Sequence, residues 1–469
     1  MNIQQIYTDC LAEAAYYVES EGEVAIIDPL REVSPYLQMA EANDATIKYV
    51  LETHFHADFV SGHLDLAEKT GARIIYGPTA EPNFDAYVAK DNEELKLGNV
   101  KIKVLHTPGH TMESTTYLLL DEKGNPHAIF TGDTLFIGDV GRPDLAVKSD
   151  LSREDLAGHL FDSLRSKIMP LPDSVIVYPG HGAGSACGKN MSCETNDTLG
   201  SQKRHNYALR ESMTKKEFIE EVVSGLVQPP QYFPKNAVMN KMGYESIDKV
   251  LGRGIVALDP TQFKDSIRRD DALVLDTRDS NQFLMEHIPG SLWIGIDGNF
   301  APWVGALISD LSQNIVFVAK NGREEEVVTR LARVGYDRTL GYLEGGLDEW
   351  KNAGNNTASV ESIGAHDFVG MYDTEVLNVL DVRKVSEFES QHVKGVANFP
   401  LDFINQNLDN LDKEKKYYLH CQGGYRSVIA ASILKANGFN SLVNVEGGFS
   451  EIKKSCVKVT KFKEQETML

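Results

Sequence analysis

The second half of the chain repeats itself. Asp276-Thr-Arg278, Phe283, His287 and Gly290 return as Asp381-Val-Arg383, Phe388, His392 and Gly395 at a constant spacing of 105 residues. Farther on, Arg323, Gly335 and Glu344-Gly-Gly346 return as Arg426, Gly438 and Glu446-Gly-Gly448, at spacings of 102 or 103. Matches held in register over this distance mark two copies of one domain. Each copy alternates apolar strands (273–275 and 315–319; 376–380 and 417–421) with helices near 324–334 and 427–437. That alternation predicts α/β units built on a parallel sheet.

The first part of the chain follows another rule. Apolar runs at 24–28, 47–53 and 100–105 predict strands, and the later two run straight into loops rich in His, Gly and Pro. One helix is well signalled. Ser152 is an N-cap with Asp155 three residues on, Leu156, Leu160, Leu164 and Ile168 share a face, and Pro170 stops it. A further helix is expected at 215–226, followed by a connector rich in proline at 229, 230 and 234. The expected organisation is therefore residues 1–212, a helical connector 213–257, one repeat at 258–356 and the other at 357–469.

Composition narrows the class. Lys and Arg number 47 against 68 Asp and Glu, a net charge of −21, which disfavours nucleic acid and anionic membrane surfaces as partners. No run approaches the roughly 18 apolar residues of a membrane span. The start, Met1-Asn2-Ile3-Gln4-Gln5, lacks the basic and apolar regions of a secretory signal. Five cysteines in 469 residues fit a reducing cytoplasm better than a disulfide framework. The expectation is a cytoplasmic protein, and self-association into a homo-oligomer stays open.

Four polar clusters mark the first part: Thr53-His54-Phe55-His56-Ala57-Asp58-Phe59, Pro108-Gly109-His110-Thr111, Thr131-Gly132-Asp133-Thr134 and Tyr178-Pro179-Gly180-His181. Each follows a predicted strand, so their side chains can converge at one sheet edge. Imidazoles and carboxylates together suit a divalent transition metal.

These motifs resemble the metallo-β-lactamase superfamily over about residues 5–210, which implies an αββα sandwich. Members with two metals carry His-x-His-x-Asp-His; here the last position is Phe59, whose ring cannot ligate. The second site then keeps only Asp58 and His181 and is expected to be empty, which points away from two-metal hydrolysis. Within the superfamily the pattern resembles the persulfide dioxygenases. That resemblance implies one iron(II) held by His54, His110 and Asp133, with three positions left for O2 and a substrate sulfur. It leaves His56 beside the metal or in a vestigial second site with Asp58 and His181, and makes His63 and His106 structural. Gly141-Arg142-Pro143-Asp144 also matches, with Arg142 near the carboxylate of the thiol or, equally, in a salt bridge. The loop 182–188 resembles one bordering a substrate channel, so Cys187 and Cys193 are either sulfur-reactive or ordinary loop thiols.

In the second repeat, Cys421-Gln-Gly-Gly-Tyr-Arg426 joins the strand at 417–420 to a helix. Glycines let the loop curl with its N–H groups inward, and the helix N-terminus and Arg426 favour an anion there. A thiolate so placed can take up and pass on a sulfane sulfur. Residues 360–455 resemble the rhodanese sulfurtransferases, with Asp381 and Arg383 read as a structural ion pair and Cys456 without a role. The earlier repeat resembles the same family but holds no cysteine. Its loop reads Ala319-Lys-Asn-Gly-Arg323, one residue shorter, and Glu324-Glu325-Glu326 would repel a persulfide. It is expected to be catalytically silent, serving packing, spacing or dimerisation.

Together the resemblances imply a fusion in sulfide detoxification. A small thiol persulfide and O2 would give sulfite and thiol, and Cys421 would move sulfur among persulfide, sulfite and thiosulfate. The thiol itself (glutathione, coenzyme A or bacillithiol) stays open. Two alternatives compete: a glyoxalase II-like binuclear thioester hydrolase fused to sulfurtransferase modules, and a non-enzymatic sulfur carrier or persulfide sensor.

Overall fold

The computed structural model describes residues 1–145, 151–189, 191–226 and 228–463. These fall into two compact units, the first holding Met1–Ile247 and the second most of the chain from Asp248 on. Among the described residues no helix is long and apolar enough to cross a membrane.

The first unit is two six-stranded sheets face to face. One runs in chain order from Asn2–Thr8 through Glu13–Ser20, Glu23–Ile27, Thr46–Leu51 and Arg73–Tyr76 to Tyr87–Val88. The other runs in reverse order from Asp197–Thr198 through Ile176–Pro179, Pro126–Gly132, Thr115–Leu120 and Val100–His106 to Glu94–Leu97. Alternate residues of both sheets, among them Tyr16, Val18, Ile102, Val104, Tyr117 and Phe130, fill the space between them. The opposite faces bury against helices, Ser34–Ala42 on one side and Arg153–Ser163 with Lys215–Val223 on the other. That makes the αββα layering.

Local chemistry explains the helix starts. Ser152 and Asp155 form a reciprocal capping box at Arg153–Ser163, and Thr214 and Glu217 form another at Lys215–Val223. The segment after residue 212 is integral to this unit, since Phe218 and Val222 join its core and Asn236, Ala237 and Asn240 of helix Phe233–Met242 are buried.

The second unit carries two five-stranded sheets of identical connectivity. The first has the order Ala257–Leu258, Thr339–Leu343, Ile315–Val318, Leu273–Asp276, Leu292–Trp293, and the second repeats it with the equivalent strands from Glu361–Ile363 to Ala397–Asn398. Every strand pair in both is parallel. The strand expected at 376–380 is shifted to Asn378–Asp381, because Val376 lies fully in solvent. The repeated residues do the same work twice. Arg278 grips Asp276 at 2.6 and 3.0 Å, and Arg383 grips Asp381 at 2.6 and 2.9 Å. His287 and His392 each stack on the phenylalanine four residues earlier and meet its carbonyl.

Candidate active sites

The loops after four strands bring the first cluster together. His54 follows Thr46–Leu51, His110 follows Val100–His106, Asp133 follows Pro126–Gly132 and His181 follows Ile176–Pro179. The approach is close enough that glycine is required beside it. Gly132 has φ +48° and a Cβ there would meet Thr53 Oγ1 at 2.4 Å, while a Cβ at Gly141 would meet the Asp133 carbonyl at 2.0 Å.

His54, His110 and Asp133 are all buried, and their ligating atoms lie within 4.8 Å of one another. The far ring nitrogens set the tautomers. His110 Nδ1–H donates to the Arg142 carbonyl at 2.8 Å, so its Nε2 lone pair faces Asp133 Oδ2 at 3.4 Å. Thr53 Oγ1 donates to Asp28 Oδ2 at 2.8 Å and can therefore only accept from His54 Nδ1 at 3.0 Å. The His54 Nε2 lone pair is thereby turned inward as well, 3.9 Å from Asp133 Oδ2. That carboxylate oxygen is buried with no hydrogen-bond partner. Two inward lone pairs and an orphaned anionic oxygen fit a divalent cation.

The second metal position is chemically different. His181 lies between two carboxylates, 2.8 Å from Asp133 Oδ1 and 2.7 Å from Asp58 Oδ2. Both contacts are satisfied only if both ring nitrogens donate. Burial opposes that charge, but Asp133 and Asp58 outweigh it and hold the imidazolium well above the usual histidine range. Burial likewise would raise the carboxyl of Asp133, yet His181 and His110 hold it well below its ordinary value. Phe59 is fully buried, its ring 4.3 Å from that of His56.

His56 turns away from this centre. Its Nε2 lies 3.0 Å from Asp28 and 3.5 Å from Glu52, and these charges overcome the effect of burial to push it up to about 9. His63 stacks on Phe84, and His106 meets the Met112 carbonyl at 2.9 Å. The backbone of this loop is fastened by a residue from a distant helix. Asn240 Nδ2 donates to the carbonyls of His56 and Phe59, and its Oδ1 accepts from Ser61 N–H.

Of the two readings left open for Arg142, the structure shows an ion pair. Its guanidinium is 4% exposed, bonded to both oxygens of Asp144 and to the Ala186 carbonyl. Its backbone matters more, since its carbonyl orients His110 and its N–H meets the Cys187 carbonyl. Cys187 is buried close to Asp58 and His181, and burial together with the Asp58 and Asp133 carboxylates pushes its thiol well up; Cys193 is exposed.

The second cluster lies in the last domain. Cys421 ends the strand Tyr417–His420, is 1% exposed, and its Sγ accepts from Gly424 N–H at 3.1 Å. Gly424 (φ +105°) then opens helix Tyr425–Ala436. Arg426 is not a free charge as the sequence suggested. Glu387, which the motif did not single out, takes both of its terminal nitrogens. In the earlier repeat Arg323 is similarly spent on Glu326 and Asp297, and the strand Ile315–Val318 leads to Ala319 with no thiol.

An αββα sandwich with histidines and carboxylates at its strand ends, followed by two parallel-sheet domains of which one holds a cysteine loop, defines a metal-binding hydrolase-type fold joined to sulfurtransferase-type domains. Residues 8–181 match the metallo-beta-lactamase superfamily, and residues 259–353 and 365–455 match the rhodanese-like domain. A probable hydroxyacylglutathione hydrolase of Schizosaccharomyces pombe is 35% identical over 166 residues, 35% of this chain and 60% of that protein. The hydroxyacylglutathione hydrolase GloC of Haemophilus influenzae is 30% identical over 211 residues, 40% of this chain and 94% of that protein. A crystal structure of a metallo-beta-lactamase from Staphylococcus aureus superposes with TM-score 0.64 at 32% identity, covering 73% of this chain and 98% of that one. The chain belongs to the metallo-β-lactamase superfamily and carries two rhodanese-like domains.

Proposed function

We propose that the chain is a persulfide dioxygenase joined to a sulfurtransferase, acting in sulfide detoxification. The first unit would oxidise a low-molecular-weight thiol persulfide with O2 to sulfite and thiol, and Cys421 would move sulfane sulfur among persulfide, sulfite and thiosulfate. The contrast between the two metal positions carries this reading. His54, His110 and Asp133 offer two lone pairs and an unpartnered oxygen, whereas His181 spends both N–H groups on carboxylates and Phe59 offers no donor. Hydrolysis in two-metal sites depends on a pair of ions about 3.5–4 Å apart. A 2-His-1-carboxylate face instead suits one iron(II) per chain, which when bound would supply O2 activation beside the persulfide sulfur.

The protein's own groups prepare that centre. Thr53 and the Arg142 carbonyl fix which imidazole nitrogens are free, and His181 fixes the carboxylate plane of Asp133. The net step is RSSH + O2 + H2O giving RSH and H2SO3. The terminal sulfur loses four electrons and O2 gains them. In the last domain the Cys421 thiolate attacks the terminal sulfur of a persulfide, the donor S–S bond breaks and the thiol leaves. Sulfite then attacks the sulfur carried by Cys421, forming the S–S bond of thiosulfate and returning the thiolate. The Gly424 N–H would stabilise the Cys421 thiolate that opens and closes this cycle.

Thioester hydrolysis with two zinc ions is the competing reading, favoured by the relatives named hydroxyacylglutathione hydrolases. Metal analysis with O2 uptake on a panel of persulfides decides between them. One iron per chain, with O2 consumption lost in His54→Ala, is expected. Two zinc ions per chain with thioester hydrolysis and no O2 uptake overturns the proposal.

A further inference from the structure

The cysteine loop is fastened to its own domain at its first two residues and at its last, where Glu387 grips Arg426. The Cys421 and Gln422 carbonyls accept from Phe449 and Ser450 N–H, and the Gln422 side chain bonds Ser450 and Arg383. Gly423 and Gly424 follow with no side chain, and Gly423 is exposed. Two successive glycines leave the direction of the Gly424 N–H to be set by whatever holds the far end of the loop. That N–H meets Cys421 Sγ.

Between the two glycines and Arg426 the loop is also held by the silent repeat. Tyr425, the next residue, donates its hydroxyl to the Gly295 carbonyl at 2.6 Å. Its ring packs against Trp293, centroids 5.0 Å apart. The socket is shaped for it, since a Cβ at Gly298 would come within 2.3 Å of the tyrosine ring. Its floor is rigid as well. Trp293 is 1% exposed, its Nε1 donates to the Arg278 carbonyl, and its backbone N–H donates to the buried Ser432 Oγ one helical segment beyond Tyr425. The silent repeat has Gly322 where the active loop has Tyr425, so nothing equivalent is held in return.

We infer that Tyr425 is a positioning residue through which the silent rhodanese-like domain aims the Gly424 N–H at Cys421. The domain without a nucleophile thus acts as the outer wall and anchor of its partner's sulfur-handling loop. The inference rests on the reading of Cys421 as the sulfur-carrying thiol.

The test uses the full chain, with thiosulfate as sulfur donor and cyanide as acceptor, and follows kcat and KM separately alongside thermal unfolding. Tyr425→Phe removes one hydrogen bond and keeps the ring. It is expected to lower kcat about fivefold, with KM for thiosulfate and the unfolding temperature nearly unchanged. Gly298→Ala, which alters only the silent domain, is expected to lower kcat by displacing the ring, and more strongly, because small misplacements of reacting groups are costly. Wild-type kcat in both folded variants overturns the inference. A fall in KM affinity with unchanged kcat does so as well, since it would place Tyr425 in substrate binding. If Cys421→Ser retains full transfer, the reading of Cys421 fails and takes this inference with it, an outcome distinct from the other two.

Discussion

Arg426 and Glu387 form a two-pronged ion pair, with nitrogen to oxygen distances of 2.5 and 2.8 Å, at the mouth of the cysteine loop. The arginine that a motif reading assigns to an incoming anion is thus balanced by a carboxylate 39 residues earlier in the chain. Glu387→Gln keeps a hydrogen-bonding side chain and removes the opposing charge. The KM for thiosulfate in this variant is expected to fall about three- to fivefold, the scale of one partly exposed ion pair. A rise in KM would show instead that the carboxylate serves to aim the guanidinium.

The same pair has a defined pH signature. Burial would raise the Glu387 carboxyl, but Arg426 holds it below the usual carboxylate range. A group with a lowered folded pKa stabilises the protein above its unfolded pKa, and that stability disappears as pH falls through the folded value. The difference in unfolding temperature between wild type and Glu387→Gln should therefore be constant from pH 7 to about 5 and shrink as the pH falls below the ordinary glutamate value of about 4.3. Thermal scans across this range test it; a difference that grows on acidification contradicts it.

The role given to Phe59 is tested by one substitution. Phe59→His returns an imidazole to a fully buried position next to Asp58. Without metal, that ring costs about 1–3 kcal/mol as an unpaired polar group, and metal binding offsets the loss. The variant is expected to melt below wild type as the apoprotein, to gain more stability from added zinc, and to retain more than one zinc per chain. Elemental analysis after gel filtration gives the stoichiometry, and an unchanged value would count against the role given to Phe59.

Asn240→Ala removes three hydrogen bonds from the loop that carries His54 and His56, leaving two carbonyls and one N–H unpaired in a buried setting. The expected cost is about 2–4 kcal/mol, read from denaturant unfolding. Stability within about 0.5 kcal/mol of wild type would show that water replaces the amide.

Thr53→Val deletes the hydroxyl that links Asp28 to His54 Nδ1. Loss of a group that orients a metal ligand typically weakens metal affinity about 10- to 100-fold. Competition with a chelator measures the change, and Thr53→Ser should recover most of the affinity. Equal affinity in all three proteins would remove the hydroxyl from the argument.

Which of these features could be read from the chain alone follows from how they are encoded. His54, His110, Asp133 and His181 each follow an apolar strand, so strand order and convergence were legible together. Asp276 with Arg278 and Asp381 with Arg383 were legible because each partner is two residues away and the pattern recurs. Asn240 was not, being 184 residues from His56 in a helix whose sequence shows nothing unusual. Glu387 and Tyr425 were equally silent. A carboxylate on a short helix and a tyrosine after two glycines acquire their roles only when the sheets bring Arg426 and Gly295 to them. Arg142 shows the converse, since its charge drew attention while its carbonyl does the orienting.

The two identical sheets carry one more consequence. In the silent repeat the Asp276–Arg278 grip and the Phe283–His287 stack bond to groups outside the loop Ala319–Arg323, whereas in the active repeat Arg383 also reaches Gln422 of the cysteine loop. The scaffold and the chemistry therefore meet at Arg383 in the active copy, while the equivalent Arg278 spends its bonds within the scaffold. The silent copy keeps the complete scaffold with alanine where the strand of its twin leads to the thiol. Substitution of the exposed Lys320 or Asn321 should accordingly cost the fold less than substitution of Gln422, which is bonded to Arg383 and Ser450.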